Sequence, residues 1–219
     1  MLNIKSDLYE SLSDYSLKNQ FAGKRIFIYA SEFLSKNRIF KDFVNQLTSD
    51  NHVVICLKNF RSEPDTDSVN LIRDEYNDDY DIIFGFGGDS VLDISKFLSF
   101  LFNTDQRLED FDIGGCGLIK HCIPLVLIPT TSGSGSELTK YCVAANSLTR
   151  RKFTVSDKRL LPVAAIHERE FLLDLPESVR ISSTLDAYIH CYEAFVNHDL
   201  NALTRVVCFD ALEAYPKEL

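Results

Sequence analysis

Four short apolar runs constrain the fold more than any other feature: KRIFIYA at 24–30, HVVICL at 52–57, DIIFGF at 81–86 and PLVLIP at 124–129. Each is about one strand long and rich in the β-branched and aromatic side chains that suit a pleated, buried surface. Helical patterns stand between them. One lies around 37–48, a second follows the Pro-containing loop in RSEPDTDSVNLIRDEYN with Asp67 or Ser68 as candidate N-cap, and a third is SVLDISKFLSFLF at 90–102. Strand and helix alternating at this spacing predict βαβ units and an α/β domain with a parallel sheet, where ligands bind at the carboxyl ends of strands. Residues 7–18 read as a polar helical lead. From about 182 the texture is helical throughout, in STLDAYIHCYEAFVN and LTRVVCFDALEAY, so the expected organisation is an α/β domain over 1–182 and helices over 183–219.

Composition narrows the class. The 219 residues suffice for one sizeable core, or for one domain and the start of another. With 45% hydrophobic and 25% charged residues and no apolar run of about 18, the expectation is a globular protein without a membrane span. The opening MLNIKSDLYE is polar and acidic, unlike a secretory leader. A net charge of −9 with dispersed Lys and Arg argues against a nucleic-acid partner. Six cysteines with no CxxC pair suit reduced thiols, and the expected compartment is the cytoplasm.

Three stretches carry candidate chemistry. In DIIFGFGGDSVLDISKF (81–97), Gly85, Gly87 and Gly88 join a strand to a helix; bare glycine amides and a helix start suit a phosphate, while a tight turn needing glycine only for packing is the plain alternative. In IPTTSGSGSELT (128–139), hydroxyls on Thr130, Thr131, Ser132, Ser134 and Ser136 alternate with Gly133 and Gly135, a loop able to hydrogen-bond a polar ligand without adding charge. Its composition also matches a flexible linker, but its place directly after LVLIP favours a binding loop. In LDAYIHCYEAF (185–195), Asp186 and His190 share a helix face at i and i+4 and could ligate one divalent cation, with Glu193 close by; a solvated pair has the same spacing.

In order and separation, GGDSVLDISK, PTTSGSGSE and DAYIHCYE resemble the GGGSxxDxxK, PTTxGTGSE and DAxxHxxE signatures of the iron-containing (group III) alcohol dehydrogenase family, relatives of glycerol dehydrogenase and lactaldehyde reductase. KFTVSDKRLLPVAAI and LLDLPESV look like the family's connecting segments, and the likeness runs from about Lys24 to Asn197. The resemblance implies a doubly wound nucleotide-binding domain followed by a helical metal-binding domain, the dehydroquinate synthase-like architecture. It implies that the diphosphate of NAD or NADP lies on Gly87, Gly88, Asp89 and Ser90, and that Thr130, Thr131, Ser134, Ser136 and Leu138 line the nucleoside and nicotinamide-ribose side. Asp93 and Lys96 match the family's polar positions on the following helix, and an i,i+3 surface ion pair is the alternative for them. Asp186 and His190 would be the first two ligands of Fe²⁺ or Zn²⁺. The implied reaction is hydride transfer between the nicotinamide and a small alcohol or aldehyde, the cation polarising the substrate oxygen. A homo-oligomer is compatible with this reading.

The sequence departs from the family at three places. Asp89 takes the third glycine position of the turn; a carboxylate about 5 Å from a phosphate charge, at an effective dielectric near 20, costs about 3 kcal/mol unless it points away, capping its helix. Ala30 and Ser31 stand where many NAD-dependent members carry an Asp, with Lys36 and Arg38 the nearest basic residues. The family draws two further His ligands from beyond the DAxxH helix, and none of His52, His121, His167 or His198 takes such a place before Leu219. The expectation is therefore an oxidoreductase in a shortened form with impaired turnover and an exposed apolar face on helices 183–215. The alternative is a non-catalytic nucleotide-binding remnant or assembly module of the same fold; a dehydroquinate-synthase-like cyclase fits the motifs less well.

Overall fold

Three of the four apolar runs form the middle of a parallel sheet and the fourth its edge. In the computed structural model, which describes residues 7–18, 21–58, 63–112 and 119–215, these are β2 (Arg25–Ala30), β4 (Ile82–Gly87), β5 (Leu125–Pro129) and β3 (His52–Leu57). With β1 (Asp7–Tyr9) and β8 (Ala164–Ile166) they make a six-stranded sheet in the order β1-β8-β5-β4-β2-β3, every pairing parallel. The middle strands are buried on both faces, which is why their sequences run apolar instead of alternating. Phe84 and Phe86 turn to one face and meet Phe40 and Phe43 of α2 (Arg38–Thr48). Phe27 turns to the other and meets Tyr76 of α3 (Thr66–Tyr76) and Phe102, which follows α4 (Asp89–Leu101).

Two local expectations change. Residues 7–9, read as part of a helical lead, form β1, because their backbone pairs with β8; α1 (Leu12–Lys18) starts only afterwards, and its first amide donates to the buried Glu168 carboxylate. The N-cap of α3 is Asp65, whose side chain accepts from Ser68 N, two residues before Asp67 and three before Ser68. Beyond the parallel sheet, β6 (Tyr141–Ala145) and β7 (Lys152–Ser156) form an antiparallel hairpin.

The chain divides into two compact units. One comprises Met1–Thr130 and Ser136–Arg169; the other comprises Thr131–Gly135 and Glu170–Leu219. The second is built on α6 (Glu177–Val196) and α7 (Ala202–Glu213), which pack together through Tyr188 on Tyr215 and Phe195 on Phe209; α5 (Arg169–Leu173) precedes them. Residue 182 thus lies inside a helix that begins after Pro176. Among the described residues no helix is long and apolar enough to cross a membrane, and Cys116 lies outside them.

Candidate functional site

The sheet reverses its direction of growth at β2. The chain passes from β2 outward to β3, then returns across α3 to β4 on β2's other side, so the carboxyl ends of β2 and β4 border a crevice of the kind that accepts ligands in doubly wound folds. Ser31 N donates to Phe86 O at 3.0 Å and Thr130 N donates to Gly87 O at 2.9 Å, which sets Ser31, Gly87 and Thr130 side by side along that edge.

The glycines there do two jobs. A Cβ on Gly85 would strike Ser95 Oγ and come within 2.9 Å of Leu127 Cδ2, and one on Gly87 would lie 2.5 Å from Val91 Cβ and 2.8 Å from Ser31 Oγ. Gly85 is therefore a packing glycine inside β4, and Gly87 lets α4 close onto the strand end. Gly88 is the N-cap of α4 and makes no side-chain cap bond. Val91 N and Leu92 N both donate to Gly88 O, at 2.9 and 3.1 Å, and this end of the helix carries its partial positive charge. Asp89 takes the first helical position, not the cap; it is exposed, so the repulsion expected from a fixed short separation is screened by solvent. Ser90, half-buried, follows it.

At the end of β5, Thr130 is 1% exposed and its Oγ1 finds no hydrogen-bond partner among the described residues. A buried orphan hydroxyl costs about 1–3 kcal/mol, and this one sits one hydrogen bond from Gly87. Hydroxyl, glycine turn and helix start are groups able to meet the oxygens of a phosphorylated ligand.

Asp93 and Lys96 are not a surface pair. The Lys96 side chain is fully buried, and its Nζ donates to Ser136 O (2.7 Å), Ser136 Oγ (2.9 Å), Thr139 Oγ1 (3.1 Å) and Tyr141 O (2.7 Å). Ser136 Oγ in turn donates to Asp93 Oδ1 at 2.8 Å, and Asp93 Oδ2 accepts from Val143 N at 2.9 Å. Burial pushes the Lys96 ammonium below its ordinary range, against the pull of Asp93, and pushes the Asp93 carboxyl above its own, against Lys96 and the Val143 and Ser136 donors. Asp93 and Ser136, expected at the cofactor, are thus committed to each other, while Leu138 beside them is exposed.

Sequence reasoning passed over one pair. His167, just past β8, places Nε2 3.0 Å from Oε1 of the buried Glu137, and that hydrogen bond raises the imidazole pKa above its usual value against the opposing effect of burial. The usable signal is the acid that closes PTTSGSGSE. The basic alternatives for a 2′-phosphate are not gathered: Arg38 pairs with Asp42 at 3.5 Å in solvent, and Lys36 is exposed.

In the helical unit, Ser132 Oγ lies 3.5 Å from Ser183 Oγ, and a Cβ on Gly133 would come 3.0 Å from Asp186 Oδ2, so the loop holding Thr131 and Ser134 runs along α6. Asp186 Oδ2 and His190 Nδ1 are 3.5 Å apart on one face, as their spacing requires, and both side chains are about half exposed. Glu193 is exposed one turn on. Among the described residues no group of three or more His, Cys, Asp or Glu gathers in one place, and two donors on one helix do not fit a complete divalent-metal site, which uses three or four.

Residues 9–169 match the family model described as iron-containing alcohol dehydrogenase. The chain is 32% identical over 215 residues to a 4-hydroxybutyrate dehydrogenase of Clostridium kluyveri, covering 97% of this chain and 56% of the relative. Among solved structures it superposes on an iron-containing alcohol dehydrogenase of Thermotoga maritima with a TM-score of 0.84 at 23% identity, over 96% of this chain and 59% of that one. It also superposes on a sulfoacetaldehyde reductase of Bifidobacterium kashiwanohense solved with NAD⁺, with a TM-score of 0.80 at 20% identity, over 95% and 56% of the two chains. The chain therefore spans little more than half the length of these proteins.

Proposed function

The chain belongs to the iron-containing alcohol dehydrogenase family, and we propose that its α/β unit binds NAD at the carboxyl ends of β2, β4 and β5 in the interconversion of a small alcohol and its aldehyde. One observation carries this reading: the orphaned Thr130 hydroxyl, one hydrogen bond from Gly87 at the start of α4. The start of α4 at Gly88, Asp89 and Ser90 meets the diphosphate with the positive end of the helix, and Thr130 offers its hydroxyl to a neighbouring oxygen. A bound nicotinamide supplies the acceptor or donor of hydride. The NAD⁺ held by the sulfoacetaldehyde reductase and the dispersed basic residues beyond β2 favour NAD over NADP. Asp186 and His190, two donors on one helix, do not by themselves make a metal site.

Thr130→Val tests the reading, because it keeps the shape and removes the hydroxyl. NADH affinity should fall about fivefold, the worth of one hydrogen bond, while the ligand-free protein becomes more stable by about 1 kcal/mol as a buried orphan disappears. Titration followed by nucleotide fluorescence and urea unfolding read the two effects. Unchanged affinity would remove Thr130 from the site, and no binding by the wild type up to millimolar NADH would sink the proposal. Binding without aldehyde reduction when Fe²⁺ or Zn²⁺ is supplied would leave the non-catalytic nucleotide-binding module.

A further inference from the structure

The chain leaves the α/β unit at Thr130 and returns to it at Ser136, and the return point is where Lys96 reaches. Four acceptors on the 136–141 segment take the Lys96 ammonium, Asp93 holds the same segment through Ser136 Oγ and Val143 N, and both charged residues sit on one turn of α4, a turn beyond Asp89 and Ser90. The Ser136 hydroxyl accepts from Lys96 and donates to Asp93, closing a circuit between charges 4.0 Å apart. A buried ion pair is a poor source of stability, since apolar side chains of similar volume commonly serve as well or better; what such a pair supplies is a unique geometry.

We infer that Lys96 is a positioning residue, which with Asp93 and Ser136 fastens segment 136–143 to α4 and so fixes the end of the Thr131–Gly135 excursion for dinucleotide binding. The link to binding rests on the proposed function; the fastening does not. Lys96 reaches no ligand itself, because its donors are already used within the protein.

The test compares wild type with the charge-balanced Asp93→Asn/Lys96→Met double variant, which strands no buried charge, and with the milder Ser136→Ala. Hydrogen–deuterium exchange should quicken at least tenfold in residues 136–143 of the double variant and less in Ser136→Ala, with the amides of 97–101 in α4 unaffected. NADH affinity should fall at least tenfold in the double variant although its melting temperature moves by only a few degrees. Unchanged exchange over 136–143 overturns the inference, and so does faster exchange with wild-type affinity, since the network would then be structural only. A wild type that binds no NADH overturns the proposed function instead, and the exchange result alone then decides whether the fastening exists.

Discussion

The helices α4 and α6 carry similar apolar content to opposite ends. From Ile94 to Leu101 every residue of α4 is buried, whereas α6, with 20 residues, buries none completely, and Leu185, Ile189, Tyr192 and Val196 are each more than two-fifths exposed. The first helix lies under a sheet and holds a buried lysine among four acceptors; the second packs against α7. Helical periodicity is common to both. Burial comes from what the rest of the chain supplies to cover the face.

The same substitution in each helix should break the symmetry most sharply. Ile94→Ala in α4, at 0% exposure, should cost about 2–5 kcal/mol through lost transfer energy and a residual cavity. Ile189→Ala in α6, at 48% exposure, should stay within about 0.5 kcal/mol, because little burial is lost and alanine is the better helix former. Urea unfolding of the two variants measures the difference, and equal costs would mean that α6 is covered in solution.

Next in size is the packing of α4 onto its strand. Gly87→Ala pushes a methyl into Val91 and Ser31, an overpacking that should cost about 1–3 kcal/mol and weaken NADH binding by moving the first turn of α4. Loss of binding without loss of stability would assign Gly87 to ligand approach alone.

These differences also separate what could be read in the sequence from what could not. The middle strands were legible because runs such as KRIFIYA and DIIFGF are apolar without a break, as burial on both faces requires. β1 was not, since three residues DLY have no pattern of their own and become a strand only by pairing with β8. For the site, glycines and hydroxyls marked the right strand ends, but residue type alone does not say whether a hydroxyl faces a ligand or a lysine. Ser136 and Thr130 lie in one motif, yet the structure gives Ser136 two internal charged partners and leaves Thr130 Oγ1 with none among the described residues. The burial of Lys96 had no local signal, because its acceptors are mostly backbone carbonyls and hydroxyls 40 or more residues away.

A smaller effect probes the open side of the comparison. Val206 and Val207 of α7 are 65% and 60% exposed, and changing both to Ser should lower the fluorescence of an apolar-surface dye while leaving unfolding free energy within about 1 kcal/mol. A large loss of stability would show that this face is packed.

The smallest expected effect belongs to the covered unit, at His167. Its hydrogen bond to Glu137 raises the imidazole pKa above the ordinary value near 6.5, so the folded state holds a proton that the unfolded chain releases sooner. The stabilisation is complete below about pH 6.5 and is lost as pH rises through the raised value of the folded protein. Because the His167 side chain is 43% exposed, solvent screens the pair, and the contribution should stay below about 1 kcal/mol. Unfolding free energies measured between pH 5 and 8 for wild type and His167→Gln should therefore differ most at the acid end and converge at the basic end. Parallel profiles would mean that the pair adds no pH-dependent stability. A gap that widens as pH rises would mean that the imidazole is held neutral in the fold.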